Sequence, residues 1–254
     1  MSVPARPAPR REQLEALGVD APIAKVKQAL DEVGIVVVRS RTTRDQFFAV
    51  ANRLGVVFSE LAVFVDPHQR QYVRNPAAVP FHSDHHPLAD IIGWYCVRPC
   101  QTGAPSIFLD VRDAYDRLRP ADREQLLSLR LRVKAASRQG TIPVVSFDRG
   151  RPRFAWNAVW LEKPIEPKAE SALRRFSTML TGANDVRTVS VSLRARDFVL
   201  IDNKRFLHGR EPLPPNSRRL LYRVWINLDS RATELQIGRP SAMGVLKRRP
   251  AGAG

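Results

Sequence analysis

The sequence predicts a mainly β domain with peripheral helices, a β-sandwich or jelly roll carrying helical insertions. Three observations point there. Six short apolar or alternating segments, near 91–97, 105–109, 129–135, 187–192, 197–202 and 219–227, read as strands. Only two helical patterns interrupt them, at about 111–128 and 167–181, so strands and helices do not alternate as in a parallel α/β sheet. No Gly-rich phosphate loop follows any strand, which removes support from nucleotide-binding α/β folds. A chain of 254 residues suits one such domain. We place it at 14–240, between a Pro/Arg-rich tail at 1–13 and a second tail at 241–254, both expected to be frayed.

The elements follow in order. Ile23 to Val33 carries Ile23, Val26, Ala29 and Leu30 at helical spacing and ends at Gly34, a natural C-cap. Ile35 to Val38 is a β-branched run that fits a buried strand. Thr43 precedes a second helix over Arg44 to Leu54, which is closed by Gly55. Leu61 to Pro80 lacks clear periodicity and reads as a long loop, the kind that serves as a lid. The β-rich region begins after it.

Composition narrows the class. Hydrophobic residues make up 44% of the chain, as in globular proteins. No apolar run reaches the roughly 20 residues of a membrane span, and the N-terminal segment has no apolar h-region, so the expected compartment is the cytoplasm. Cys96 and Cys100 are the two cysteines; they form no disulfide framework or zinc site and are expected reduced, in or near the core. The net charge of +16 admits nucleic acid, an acidic carrier protein or a phosphorylated metabolite as partner. Scattered arginine among Ala, Pro and Val also arises from base composition alone, so the charge does not decide.

The chemistry-bearing motif is Phe81-His82-Ser83-Asp84-His85-His86-Pro87. In an extended segment residues two apart share a side, so His82 and Asp84 can converge on one point while Ser83 turns away. Imidazole plus carboxylate, completed by one more His, is the donor set of non-haem Fe(II) oxygenases. A His-x-Asp pair alone is more often structural. The second half lies downstream, where a strand to Asp202 leads through Asn203 to His208 and then to a strand from Arg219 to Asn227. Alternation puts Arg219, Leu221, Arg223 and Trp225 on one face of that strand. Two arginines on an apolar face are costly to bury without anions, which suggests an anion pocket beside His208. Exposed arginines on an edge strand are the plainer alternative.

Together these residues resemble the taurine dioxygenase-like (TauD/TfdA) family of Fe(II)/2-oxoglutarate oxygenases, from about Ala21 to Asn227. The resemblance rests on His82-x-Asp84, Gly103-Ala104-Pro105-Ser106, Asp202-Asn203, His208, Arg219 and Arg223. It implies a double-stranded β-helix, the cupin-like form of the jelly roll, and the co-substrates 2-oxoglutarate and O2. It implies that His82, Asp84 and His208 are the Fe(II) ligands. Arg219, eleven residues after His208, would pair with the distal carboxylate of 2-oxoglutarate, and Ser106 would hydrogen-bond the same group. Arg223 falls where relatives bind an acidic group of the prime substrate or, in some, the co-substrate. Ala104 and Ser106 stand where the family often has Gly and Thr; serine keeps the hydroxyl. A carboxylate at 84, rather than Gly or Ala, argues against halogenation.

His86 and Trp94 are further candidates for substrate contact, weighed against packing roles. His85 faces away if the strand continues, and His68 in the lid reads as exposed. Trp156, Asn157 and Trp160 read as core more than pocket edge. The expected activity is hydroxylation of an unactivated C–H in an amino acid or related natural-product intermediate, with release of succinate and CO2. The alternative substrate is one bound to an acidic carrier protein or bearing phosphate, favoured if Arg70, Arg74 and Arg98 cluster at one mouth. A nucleic-acid-directed protein lacks a recognition motif here, and a non-enzymatic metal binder would need no paired arginines. A homo-oligomer is compatible with the sequence.

Overall fold

The computed structural model describes residues 18, 20–39, 41–66, 74–84, 86–135, 138–181 and 188–229. Both expected tails, His68, Arg70 and His85 lie outside the described residues. Helix α1 (Ile23–Glu32) buries Val26 and Leu30 and ends where Gly34 takes a φ of +83°, as a left-handed cap requires. Strand β1 (Ile35–Val38) follows, then α2 (Arg44–Leu54). Thr43 Oγ1 accepts from the Gln46 N–H and Gln46 Oε1 accepts from the Thr43 N–H, a reciprocal cap that satisfies two otherwise orphaned donors. Gly55 closes α2 for a different reason from Gly34. Its φ is −178°, ordinary extended backbone, but a Cβ there would lie 2.2 Å from the Asn227 carbonyl oxygen.

The remaining strands are β2 (Val56–Phe64), β3 (Val79–His82), β4 (Ile91–Arg98), β5 (Ser106–Asp110), β6 (Arg130–Ala135), β7 (Arg138–Pro143), β8 (Val145–Asp148), β9 (Arg151–Phe154), β10 (Thr188–Val191), β11 (Phe198–Asp202), β12 (Phe206–Arg210) and β13 (Leu220–Asn227). They form a five-stranded sheet in the order β1-β11-β4-β13-β2 and a four-stranded sheet in the order β10-β5-β12-β3. The non-sequential order, with every pairing antiparallel, is that of a jelly roll. Strand β3 is an edge strand four residues long.

Alternation divides each strand between two cores. Ile35, Val37, Ile92, Trp94, Cys96, Val199, Ile201 and Leu221 of the larger sheet face Phe108, Val191 and Phe206 of the smaller one. Their neighbours Val36, Val38, Tyr95, Phe198, Leu200 and Val224 point the other way, onto α1 and α2. On the outer face of the smaller sheet, Leu109 and Leu207 pack under the helices and hairpins that lie between β5 and β10 in the chain. Since Phe206 faces inward and Leu207 outward, His208 faces inward.

Two sequence readings need correction. The expected loop from Leu61 to Pro80 begins too early and ends too late, because Leu61 to Phe64 complete β2 and pair along β13, and Val79 and Pro80 open β3. Nearly every residue of β2 is half-buried, so the hydrophobic alternation that marks a strand is missing. The expected helix at 111–128 is two helices, α3 (Val111–Asp116) and α4 (Pro120–Leu127). Pro120 cannot donate to a preceding turn and holds Arg119 extended at ψ 148°, which breaks the pattern. The helix at 167–181 appears as α5 (Pro167–Thr181). Both cysteines are free and buried.

Candidate metal centre and anion pocket

The two distant histidines meet through strand register. His82 on β3 is directly opposite His208 on β12, with ring centroids 4.2 Å apart. Asp84 follows two residues after His82, and its Oδ1 lies 3.8 Å from Nε2 of each histidine. Candidate ligand atoms of the three residues all fall within 4.8 Å of one another, and all three residues are buried. Backbone contacts fix the loop that carries Asp84. Its N–H donates to Asn203 Oδ1, and Asn203 Nδ2 donates to the carbonyls of Asp84 and Ala89. Ser83 points away, as alternation requires, and its Oγ accepts from the Trp156 N–H at 2.8 Å.

The electrostatics suit a cation. His82 Nδ1 lies 2.9 Å from the Pro80 carbonyl, which can only accept, so Nδ1 is the donor and Nε2 is the nitrogen left to face a cation. Burial, and then the neighbouring His82, hold His208 well below the usual histidine range, so its imidazole is neutral at pH 7. Burial alone would raise the Asp84 carboxyl. The Arg223 guanidinium, the two imidazoles and the Trp225 indole N–H outweigh it and bring the group below the usual carboxylate range. Two imidazoles and an ionised carboxylate are the facial donor set suited to Fe(II). His208 Nδ1 is buried without a hydrogen-bond partner.

A cavity between the sheets adjoins these groups. His82, Trp94, Ser106, Phe108, His208, Arg210, Arg219, Leu221 and Arg223 are among its lining residues. Arg219 Nη2 donates to Ser106 Oγ at 2.8 Å. Arg210 Nη2 donates to the carbonyls of Asn75 and Ala77. Burial, then the charge of Arg219, pulls Arg210 down to about 10. Burial likewise lowers Arg219. Among the described residues, neither guanidinium forms an ion pair with a carboxylate. That part of the cavity is therefore electropositive and unneutralised, an arrangement that favours an anion.

The sequence-predicted residues are thus mostly brought together. His82, Asp84 and His208 converge, and Ser106 meets Arg219. Arg223 reaches the cavity but also pairs with Asp84, Nη1 to Oδ2 at 2.9 Å. Trp94 lines the cavity with its ring centroid 4.9 Å from that of His208. His86 is not among its lining residues; its ring packs against both Phe58 and Trp225, at 5.0 and 5.4 Å. Trp156 is core, edge-on to Phe176. Arg74 stacks over Phe64 and Arg98 donates to the Arg218 carbonyl. Sequence reasoning gave no role in the site to Arg210 or to Trp225, although alternation already placed Trp225 on the face of Arg219 and Arg223. Arg210 was within reach of it, since period two carries His208's inward direction to 210.

No helix among the described residues is long and apolar enough to cross a membrane. No curated protein sequence matches the chain. Solved structures with a similar fold include an asparagine oxygenase in complex with Fe(II), 2S,3S-3-hydroxyasparagine and succinate. Its TM-score is 0.72 at 19% identity, over 86% of this chain and 81% of that one. The non-haem iron oxygenase OrfP, in complex with Fe, succinate and (3S)-hydroxy-L-Arg, gives 0.67 at 15% identity, over 84% and 82%. PvcB from Pseudomonas aeruginosa gives 0.64 at 18%, over 82% and 81%. The family described as taurine catabolism dioxygenase TauD, TfdA matches residues 8–225, most of the sequence, and this chain belongs to that family.

Proposed function

We propose that this protein is an Fe(II)- and 2-oxoglutarate-dependent dioxygenase that hydroxylates a C–H of an amino acid or a closely related small molecule. The observation that carries the reading is the juxtaposition of a two-imidazole, one-carboxylate donor set with an unneutralised guanidinium pocket, the cavity being lined by both histidines and the arginines. His82, Asp84 and His208 would hold the iron. Arg219 would grip the distal carboxylate of 2-oxoglutarate with Ser106 fixing the guanidinium, and Arg223, already engaged by Asp84, would border both co-substrate and substrate. The iron held there would activate O2, with 2-oxoglutarate as the two-electron reductant; one oxygen atom would enter succinate as CO2 is released, and the other would turn a substrate C–H into C–OH.

The protein's own part is orientation and exclusion. His82 is locked in one tautomer by Pro80, Asp84 is kept ionised by Arg223, and Trp94, Phe108 and Leu221 keep the cavity wall apolar. The amino-acid substrate class is supported by the hydroxylated asparagine and arginine found in the structurally similar oxygenases. Anaerobic titration of Fe(II)-loaded protein with 2-oxoglutarate tests the reading. A saturable visible charge-transfer band, absent in His82→Ala, is expected; a fully iron-loaded protein without the band would refute it.

A further inference from the structure

The two oxygens of Asp84 have different surroundings. Oδ1 lies 3.8 Å from both histidine Nε2 atoms. Oδ2 accepts a hydrogen bond from Trp225 Nε1 at 2.6 Å and forms an ion pair with Arg223, whose Nη1 lies 2.9 Å away. The two partners differ in kind. Arg223 is long and can follow a carboxylate that turns. The indole presents one donor in a fixed direction, and its plane is packed. The His86 and Phe58 ring centroids lie 5.4 and 5.9 Å from it, and the Arg223 guanidinium sits 4.8 Å over it. The register of β13 against β2 also shifts between Trp225 and Ile226. A bulge of this kind re-aims the side chain beside it. Trp225 is not among the residues that line the cavity, and its one N–H is already given to Asp84.

We propose that Trp225 is a positioning residue whose indole N–H reserves Oδ2 of Asp84, so that the carboxylate offers a metal ion one oxygen and not two. The inference rests on the assignment of His82, Asp84 and His208 as metal ligands. A carboxylate released on the Oδ2 side can turn and chelate, taking a coordination position that the co-substrates need. Trp225 thereby sets both how tightly the ion is held and how many positions stay open.

The test uses the full chain with Co(II) as probe. Trp225→Phe keeps a packed ring and removes the donor. The Co(II) dissociation constant should rise about 10- to 100-fold, the usual cost of losing a partner that orients a metal ligand. The visible Co(II) bands should weaken as coordination number rises. A second readout needs no variant to fold. The chain has four tryptophans, and triple-resonance assignment identifies the Trp225 indole N–H in the unaltered protein. That signal should lie downfield and move on addition of Zn(II). An unchanged Co(II) constant and spectrum in Trp225→Phe, or an indole signal indifferent to Zn(II), would overturn the role of Trp225 alone. Wild-type protein that binds neither ion would overturn the metal centre, and this inference with it.

Discussion

Replacing Arg219 by leucine should move ligand affinity and fold stability in opposite directions. Arg219 is 8% exposed and donates to the Ser106 hydroxyl, with no carboxylate partner among the described residues. Before a ligand arrives, its charge is poorly compensated, as its lowered pKa records. When the distal carboxylate of 2-oxoglutarate binds, one or two charge-assisted hydrogen bonds form. Truncating one partner of such a contact costs about 2–4 kcal/mol. At 1.4 kcal/mol per decade, that is roughly a 30- to 700-fold weaker 2-oxoglutarate dissociation constant. Exchanging an uncompensated buried charge for an apolar group is neutral or stabilising, so the unliganded variant should melt no lower than wild type. The anaerobic charge-transfer titration reads the first quantity and thermal unfolding without ligand reads the second. A dissociation constant within about threefold of wild type would move the co-substrate role to Arg223 or Arg210. Marked loss of unliganded stability would show that Arg219 is a structural residue.

Three shorter predictions follow from the same contacts. Asp84→Ala should abolish metal retention and substrate turnover and leave Arg223 without its carboxylate partner; metal analysis after desalting checks it, and unchanged turnover would sink the ligand assignment. Ser83→Ala strips the acceptor from the buried Trp156 N–H and should lower unfolding free energy by about 1–3 kcal/mol in urea, where an unchanged midpoint would count against the contact. Asp122 is held at about 2, first by hydrogen bonds from Arg175 and then by those from Arg119. Its folded pKa lies below the unfolded value of about 3.9, so its contribution is full above that value and fades as pH falls toward 2. Asp122→Asn should therefore be less stable than wild type at pH 6 and match it near pH 2, as measured by denaturant unfolding across that range.

Strands with two-sided burial were legible because their apolar runs are long. Ile91 to Val97 and Phe198 to Asp202 read directly as β4 and β11. The His82–Asp84 pair was legible because period two is a local property. The partnership with His208 required the β3–β12 register, which no local pattern specifies; only the family resemblance pointed to it. Strand β2 was hidden by half-burial on both faces, and β7, β8 and β9 are short hairpin strands whose polar and Pro residues carry little periodic signal. Trp225 sat on the correct face in the sequence. Its bond to a carboxylate 141 positions away depends on the tertiary fold, so it could be found only there.

The placement of His82 on a four-residue edge strand has a mechanical consequence. A cation shared by His82, Asp84 and His208 would tie that outermost strand to the interior strand β12, closing a long span of chain with one fastener. A ligand that binds only the folded form adds its binding free energy to stability, and does so first where the protein opens most easily. Depleting the metal should therefore be felt as fraying before it is felt as unfolding, with amide exchange rising along 79–84 while the sheet that carries α1 and α2 stays protected. The reagent of the reaction would also be the rivet of its own pocket, so an iron-starved chain would lose the shape of the site together with its chemistry.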